Sequence, residues 1–448
     1  MKNIIGKYVG EHIPRYTSYP TAPCFHAGVG PGTYHEWLRN LPGSTTLSLY
    51  LHVPFCETLC WYCGCHTSVT RHREPIDRYV ALLREEIDLV ARRSSAHEVV
   101  HIHWGGGTPA VVGSDHFAAV TSQLRDRFNV VPGAEIAIEI DPRMLDEPMA
   151  AALGENGVTR ASLGIQTFHP ATQHAIGRVQ SLDLTSHCAE LLRSAGVHAL
   201  NADLVYGLPL ETAETCEATV ETALTLKPSR FSVFGYAHLP AIHRHQNVIE
   251  PMTLPSPDER LRQEQAIGHA IVGAGYRRIG LDHYALPTDP LSTALEEGRL
   301  RRNFQGYSDD TADALIGLGA SAIGKLPLGY VQNAPGIRQW GERIREGMLA
   351  TSRGIALRPD DIVRATVIER LMCELRADLP AILARFSYPA DWLDFELSKL
   401  VPLAAEGVVN VHAGVVTVPE SARMLVRLVA GAFDDYRSSS EGRHAIAV

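Results

Sequence analysis

The sequence predicts an α/β fold: six βα units curled into a partial barrel, an N-terminal arm, and a small, mainly helical C-terminal domain. Three observations point there. From residue 47 onward short apolar segments alternate with longer amphipathic ones, the pattern of a parallel sheet with crossover helices. Each apolar segment runs into residues capable of chemistry, and βα barrels assemble their sites from the carboxyl ends of strands. After about residue 345 the alternation stops and helical spacing takes over. A doubly wound sheet is the alternative, and periodicity does not separate the two.

Residues 1–46 form the arm. Tyr19-Pro20, Ala22-Pro23 and Gly30-Pro31-Gly32 are turn signals, with a short helical candidate at 34–41 and few apolar residues for a separate core. The barrel is expected over 47–344. Its strand candidates are 47–53, 99–104, 135–140, 161–165, 199–205 and 231–234. Between them, Ile76, Val80, Leu83, Ile87 and Val90 mark one face of a helix opened by Pro75 and closed by Arg92-Arg93. Ser256-Pro257-Asp258-Glu259 is a capping box with proline at the first helical position, and Gly273 or Gly275 ends that helix. Glycine, strand and terminal polar residues recur at 157–166, 196–203 and 275–283. The C-terminal domain, 345–448, carries helical patterns at 362–375 and 422–436 around a hairpin at 408–418 that turns at His412-Ala413-Gly414. Helices with a hairpin resemble a winged-helix arrangement, but residues 396–411 show no basic stripe.

At 448 residues the chain is too long for one ordinary core. With 45% hydrophobic and 20% charged residues it has the make-up of a globular enzyme, and a net charge of -9 argues against a general nucleic-acid binder. No apolar run reaches the roughly 20 residues that span a bilayer, and the first residues lack the apolar core of a signal peptide. The cytoplasm is the expected compartment and a monomer the expected assembly. Cys24, Cys188, Cys216 and Cys373 are scattered as reduced, core-filling thiols would be.

The other four cysteines, Cys56, Cys60, Cys63 and Cys65, crowd the loop after the first strand. Such crowding calls for a metal. Three thiolates at C-x3-C-x2-C can hold three irons of a [4Fe-4S] cube and leave the fourth open to chemistry. Structural zinc is the other candidate, although zinc usually takes two separated pairs or added histidines. The strand ends add Gly105-Gly106-Gly107-Thr108, which lacks nucleotide-loop spacing. They also add Glu139, Gln166 and Asp203, acceptors suited to hydroxyls and ammonium groups or to capping a helix. Arg178 is a fork for a carboxylate, though its neighbours Gly177 and Val179 are small and apolar.

Cys56-x3-Cys60-x2-Cys63, with Tyr62 before the last cysteine, resembles the motif of radical S-adenosylmethionine (SAM) enzymes. Gly64-Cys65, the 15–21 segment RYTSYPT, the 103–109 segment HWGGGTP and the 303–307 segment NFQGY together resemble the oxygen-independent coproporphyrinogen III oxidases of haem biosynthesis. The likeness runs nearly end to end. It implies a partial (βα)6 radical-SAM barrel whose open side admits a tetrapyrrole, with the 15–21 segment shielding the site. It implies metal ligation by Cys56, Cys60 and Cys63, with Cys65 a neighbour. It implies SAM contacts at Tyr50, Tyr62, Gly106, Gly107, Thr108, Glu139, Gln166, Arg178, Asp203, Ala237 and Ile323.

The implied reaction turns two propionates of coproporphyrinogen III into vinyl groups. It consumes two SAM molecules and needs a low-potential electron donor. Arg15, Arg301 and Arg302 are candidates to hold propionates, against plain surface solvation. His283 and Tyr307 are candidates to handle protons, against a packed aromatic for Tyr307. Two alternatives stand: a haem-trafficking relative without decarboxylase activity, and a zinc-stabilised binding module.

Overall fold

The computed structural model describes residues 7–8 and 13–437. The chain divides into two compact units, Phe25–Leu254 with Ala312–Ala356, and Met1–Cys24 with Pro255–Thr311 and Leu357–Val448. This division differs from the expected boundaries at 46/47 and 344/345. Residues 25–45 belong with the sheet, residues 255–311 belong with the C-terminal helices, and residues 345–356 complete the sheet.

The first unit holds the barrel. Its strands are β1 Thr46–Val53, β2 Glu98–Gly106, β3 Asn129–Ile140, β4 Arg160–Gln166, β5 Ala199–Tyr206, β6 Arg230–Gly235, β7 Ala314–Leu318, β8 Ile323–Leu326, β9 Gly329–Asn333 and β10 Thr351–Ala356. They lie in the order β10-β9-β8-β7-β1-β2-β3-β4-β5-β6. Pairing is parallel from β7 through β6 and antiparallel from β7 out to β10. From β1 to β6 spatial order follows chain order without reversal, so no switch point exists and the doubly wound alternative falls. The burial of β1 is nearly unbroken, as a parallel strand covered on both faces requires.

Helices connect the strands: α1 Pro31–Arg39, α2 Arg73–Arg93, α3 Ser114–Arg127, α4 Glu147–Glu155, α5 Pro170–Ala175, α6 Leu182–Ser194 and α7 Ala213–Leu224. The apolar face predicted for α2 is buried at all five positions. That helix also carries a buried acid. Glu86 accepts the Gly319 N–H at 2.6 Å and the Asn333 amide at 2.7 Å. Two turns earlier on the same face, Tyr79 donates to the His52 carbonyl at 2.6 Å and accepts the Ala320 N–H at 3.0 Å. Together they fix the end of β1 and the turn after β7.

Burial pushes the Glu86 carboxyl up to about 7, against the hydrogen bonds from Gly319 and Asn333 that pull it down. A carboxyl raised on folding makes the folded state the tighter proton binder, so stability is full below about 4.5, is lost as pH rises toward 7, and is flat above. The span corresponds to roughly 3 kcal/mol at 1.36 kcal/mol per unit. Thermal unfolding from pH 5 to 8 is expected to show a falling Tm whose slope is shallower in Glu86→Gln; equal slopes would refute the assignment.

In the second unit, helix Pro257–Gly273 starts as its capping residues predict, with Ser256 Oγ accepting the Glu259 N–H at 3.2 Å. Helix Pro359–Glu374 packs with a three-stranded sheet, Arg376–Asp378, Val415–Thr417 and Asn410–His412. The predicted hairpin supplies two of its strands, turning through Ala413 and Gly414 at φ 50° and 77°. The helix expected over 422–436 is shorter, a 3-10 turn Glu420–Leu425 followed by Val426–Gly431. Beyond its end, Asp434 accepts the Tyr16 hydroxyl at 3.0 Å and the Tyr436 N–H at 2.8 Å. With the Tyr19 hydroxyl accepting the Asp435 N–H at 3.0 Å, the 15–21 segment is anchored by its tyrosines. Among the described residues no helix is long and apolar enough to cross a membrane.

Candidate active site

Val53-Pro54 ends β1, since proline cannot donate to a ladder, and the cysteine loop begins there. Its base is closed by Phe55–Cys56 pairing with Ser68–Val69. The glycine turn after β2 is stitched to it: the Gly107 N–H donates to the Val53 carbonyl and the Thr108 N–H to that of Phe55, both at 2.8 Å. A Cβ on Gly107 would stand 2.5 Å from the Phe55 oxygen and 2.7 Å from Thr67 Oγ1, and Gly106 holds φ +117° over the His52 ring. These glycines permit close backbone approach. Later segments pin the loop's crown. Gln246 donates to the carbonyls of Tyr62 at 3.0 Å and Ala237 at 3.4 Å, and His245 Nε2 donates to that of Cys63 at 2.7 Å.

Each predicted thiol ligand carries donors. Cys56 Sγ receives the Thr67 and Thr108 hydroxyls at 3.3 and 3.5 Å. Cys60 Sγ faces Arg143 and Arg178 at 3.5 Å each, and Cys63 Sγ faces the Cys65 N–H at 3.4 Å. Cys63 is drawn down to about 6, first by hydrogen bonding from Cys65, then, against burial, by the Cys65 N–H, His245 and Arg178. Burial pushes Cys56 up, and the two threonines only partly offset it.

A soft, three-thiolate donor set with hydrogen bonds to every sulfur suits an iron–sulfur cube. Among the described residues no three histidine, cysteine or acidic side chains stand close enough to share one ion, whereas a cube takes each thiolate on a different iron.

The predicted SAM contacts line the carboxyl ends of β1 to β5 and the segments beyond. Tyr50 on β1 shares a 3.0 Å hydrogen bond with His52 Nδ1 and lies 5.8 Å, stacked, from the His103 ring. Glu139 at the end of β3 accepts the Gly106 N–H at 3.1 Å and meets His103 Nε2 at 3.2 Å. Asp203 on β5 accepts Ser162 Oγ and the Asn201 amide, both at 2.7 Å. Gln166 closes β4 in the left-handed region, φ 69°. None of these three caps a helix. Ile323 opens β8 opposite Gln332.

The apolar surroundings expected of Arg178 are corrected: its partners come from strands distant in sequence. Asp141 Oδ2 lies at 3.0 Å and the Gly164 carbonyl at 2.6 Å, while the flanking Val179 is exposed. Its Nε is buried and has no hydrogen-bond partner among the described residues, a donor left for a ligand. Burial pushes the Asp141 carboxyl up, but Arg143 and Arg178 outweigh it and hold the group below the usual range. Arg143, His245 and Gln246 were missed in the sequence; only Asp141-Pro142-Arg143 carried a signal, polar residues at a strand's end.

The remaining candidates lie in the other unit. Arg302 is not a solvated surface residue but buried, 3.5 Å from Asp282 and with its guanidinium 4.3 Å over the Tyr307 ring. Tyr307 donates to the Met372 carbonyl at 2.6 Å and accepts the Leu281 N–H at 2.9 Å. Burial raises its pKa, and with both hydrogen-bonding roles of its hydroxyl filled it has the surroundings of a packed aromatic. His283 Nδ1 is 2.7 Å from Asp282. Arg301 is exposed and paired with Glu369 at 3.0 Å, and Arg15 lends its carbonyl to Arg302 at 3.4 Å.

The radical SAM superfamily matches residues 50–223. The chain is 48% identical over 442 residues to the oxygen-independent coproporphyrinogen III oxidase of Bradyrhizobium diazoefficiens, covering 98% of each. It is 38% identical over 424 residues to that of Escherichia coli, covering 94% of this chain and 93% of that one. A solved structure of the Escherichia coli coproporphyrinogen III oxidase, described as a radical SAM enzyme, matches with a TM-score of 0.90 at 36% identity, over 95% of this chain and 100% of that one. A barrel with a three-thiol loop at its carboxyl rim, together with relatives similar from end to end, places the chain in the oxygen-independent coproporphyrinogen III oxidase family of the radical SAM superfamily.

Proposed function

We infer that the protein converts coproporphyrinogen III to protoporphyrinogen IX without oxygen, oxidatively decarboxylating two propionates to vinyl groups in haem biosynthesis. The observation that carries this is the stitching of the cysteine loop to the glycine turn, which sets a three-thiol ligand set beside acceptors and a buried arginine donor. A [4Fe-4S] cluster with SAM supplies, on one-electron reduction, a carbon radical able to take hydrogen from a propionate β-carbon.

The chain's own residues do the holding. Cys56, Cys60 and Cys63 ligate; Gly106, Gly107 and Thr108 bring backbone close enough to meet the methionine end of SAM; Arg178 offers its free Nε to the carboxylate. Glu139, Gln166 and Asp203 offer oxygens to the ammonium and ribose. Tyr50, Tyr62, Ala237 and Ile323 complete the contact by packing and backbone. Basic side chains, Arg15 and Arg301 among them, are the ones offered to propionates.

The eight cysteines are all free of disulfides, which supports a reducing cytoplasm, and a low-potential one-electron donor completes the cycle. The proposal takes a monomer as the working unit. Anaerobic incubation with SAM, reductant and coproporphyrinogen III is expected to yield carbon dioxide and the divinyl product. Methionine release without decarboxylation, or haem binding without turnover, would overturn it.

A further inference from the structure

Two guanidiniums converge on one thiol of the three, and a single carboxylate holds both. Arg143 grips Asp141 with two bonds, Nε to Oδ1 at 2.9 Å and Nη2 to Oδ2 at 2.6 Å, and its own backbone N–H reaches Oδ1 at 3.1 Å. Arg178 Nη1 shares the same Oδ2 at 3.0 Å. From this clamp Arg143 Nη2 and Arg178 Nη1 each stand 3.5 Å from Cys60 Sγ. The side chains of Arg143, Asp141 and Arg178 are 17%, 9% and 7% exposed, so water screens them little. Two cations against one anion leave a net positive charge beside Cys60. Among the described residues no guanidinium is within hydrogen-bonding distance of Cys56 or Cys63, which take hydroxyls and the Cys65 N–H.

Resting on the function inferred above, we propose that Arg143, clamped by Asp141, is a positioning residue that raises the reduction potential of the centre ligated through Cys60. An added electron makes such a centre more negative, so a fixed neighbouring cation favours the reduced form, and donors to a ligating sulfur act in the same sense. Arg178 has a second duty toward SAM. Among the described residues Arg143 bonds only to Asp141 and Cys60, so its charge serves the sulfur.

The test is a dithionite titration of anaerobically reconstituted holoenzyme, wild type against Arg143→Gln, Arg143→Lys and Asp141→Asn, followed by electron paramagnetic resonance of the reduced cluster. Arg143→Gln is expected to lower the one-electron reduction equilibrium about tenfold or more, about 59 mV per tenfold step. Arg143→Lys keeps the charge and is expected to fall less. Asp141→Asn removes the anion and is expected to shift the potential upward.

An unmoved potential in fully loaded Arg143→Gln overturns the inference, as does a lysine variant shifted as far as the glutamine one. If Arg143→Gln does not hold iron, the sign of the shift in Asp141→Asn decides. A wild type that binds no cluster defeats the proposed function instead.

Discussion

Cys60→Ala protein is expected to emerge from anaerobic reconstitution without its cluster and to form product at least about 10³-fold more slowly than wild type, roughly 4 kcal/mol of lost transition-state stabilisation. The same is expected of Cys56→Ala and Cys63→Ala, because in the proposed ligation each thiolate serves a different iron. Cys60 is the most telling of the three. Its removal leaves the guanidiniums of Arg143 and Arg178 facing a cavity instead of a sulfur, two buried cations with one carboxylate between them.

Cys65 provides the contrast. It is exposed, and its backbone N–H, not a ligating thiol, is what reaches Cys63 Sγ at 3.4 Å. Cys65→Ala keeps that N–H and is expected to retain about four irons per chain, as a cube requires. Iron and sulfide analysis of the four variants checks both halves. Retained turnover in Cys60→Ala would end the account.

The site was legible in the sequence wherever chemistry sat in a contiguous stretch. The cysteine loop and the glycine turn each span a few residues, and the strands they follow bury both faces, so a period-two or solid apolar run announces them. Glu139, Gln166 and Asp203 were found because strands end at them.

What escaped depended on partners far away in the chain. Arg143 and Arg178 acquire meaning only through Asp141 and Cys60, and Arg178 looked poorly placed because its sequence neighbours are apolar. The antiparallel strands β7 to β10 escaped for a related reason. Gly317, Gly324, Gly329 and Gly354 lie in them, each so close to neighbouring backbone that a Cβ would meet it at 3 Å or less, and glycine carries no side-chain pattern to read. The two units interleave along the chain, which leaves the first unit at residue 255 and re-enters it at 312, an excursion that no change in composition marks. Tyr307 and Arg302 were weighed as surface or proton-carrying groups, and only burial reveals that Asp282, Leu281 and Met372 already use them.

Gly107→Ala is the second variant with a large expected effect, because it puts one methyl group where the two loops are stitched together. The added Cβ would sit 2.5 Å from the Phe55 carbonyl oxygen and 2.7 Å from Thr67 Oγ1. The first of these is backbone, which cannot swing aside. Relief to an ordinary contact of about 3.4 Å requires the glycine turn and the cysteine loop to part by nearly 1 Å. Parting stretches the 2.8 Å bonds from Gly107 to Val53 and from Thr108 to Phe55, and pulls Thr108 from Cys56.

Overpacking of this kind costs about 1–3 kcal/mol, a Tm lower by a few degrees. A displacement near 1 Å in a reacting geometry costs about 10²-fold in rate. The iron ligands themselves are untouched, so cluster loading should survive while SAM affinity and turnover fall. Gly32→Ala is the control: Gly32 lies in α1 with nothing within 4 Å of its would-be Cβ. Alanine there is expected to leave turnover unchanged and to raise stability by about 0.5–1 kcal/mol. Iron content, SAM binding and Tm measured on both variants separate a spread loop from general destabilisation. Wild-type turnover in Gly107→Ala would mean that the two loops do not need their close approach.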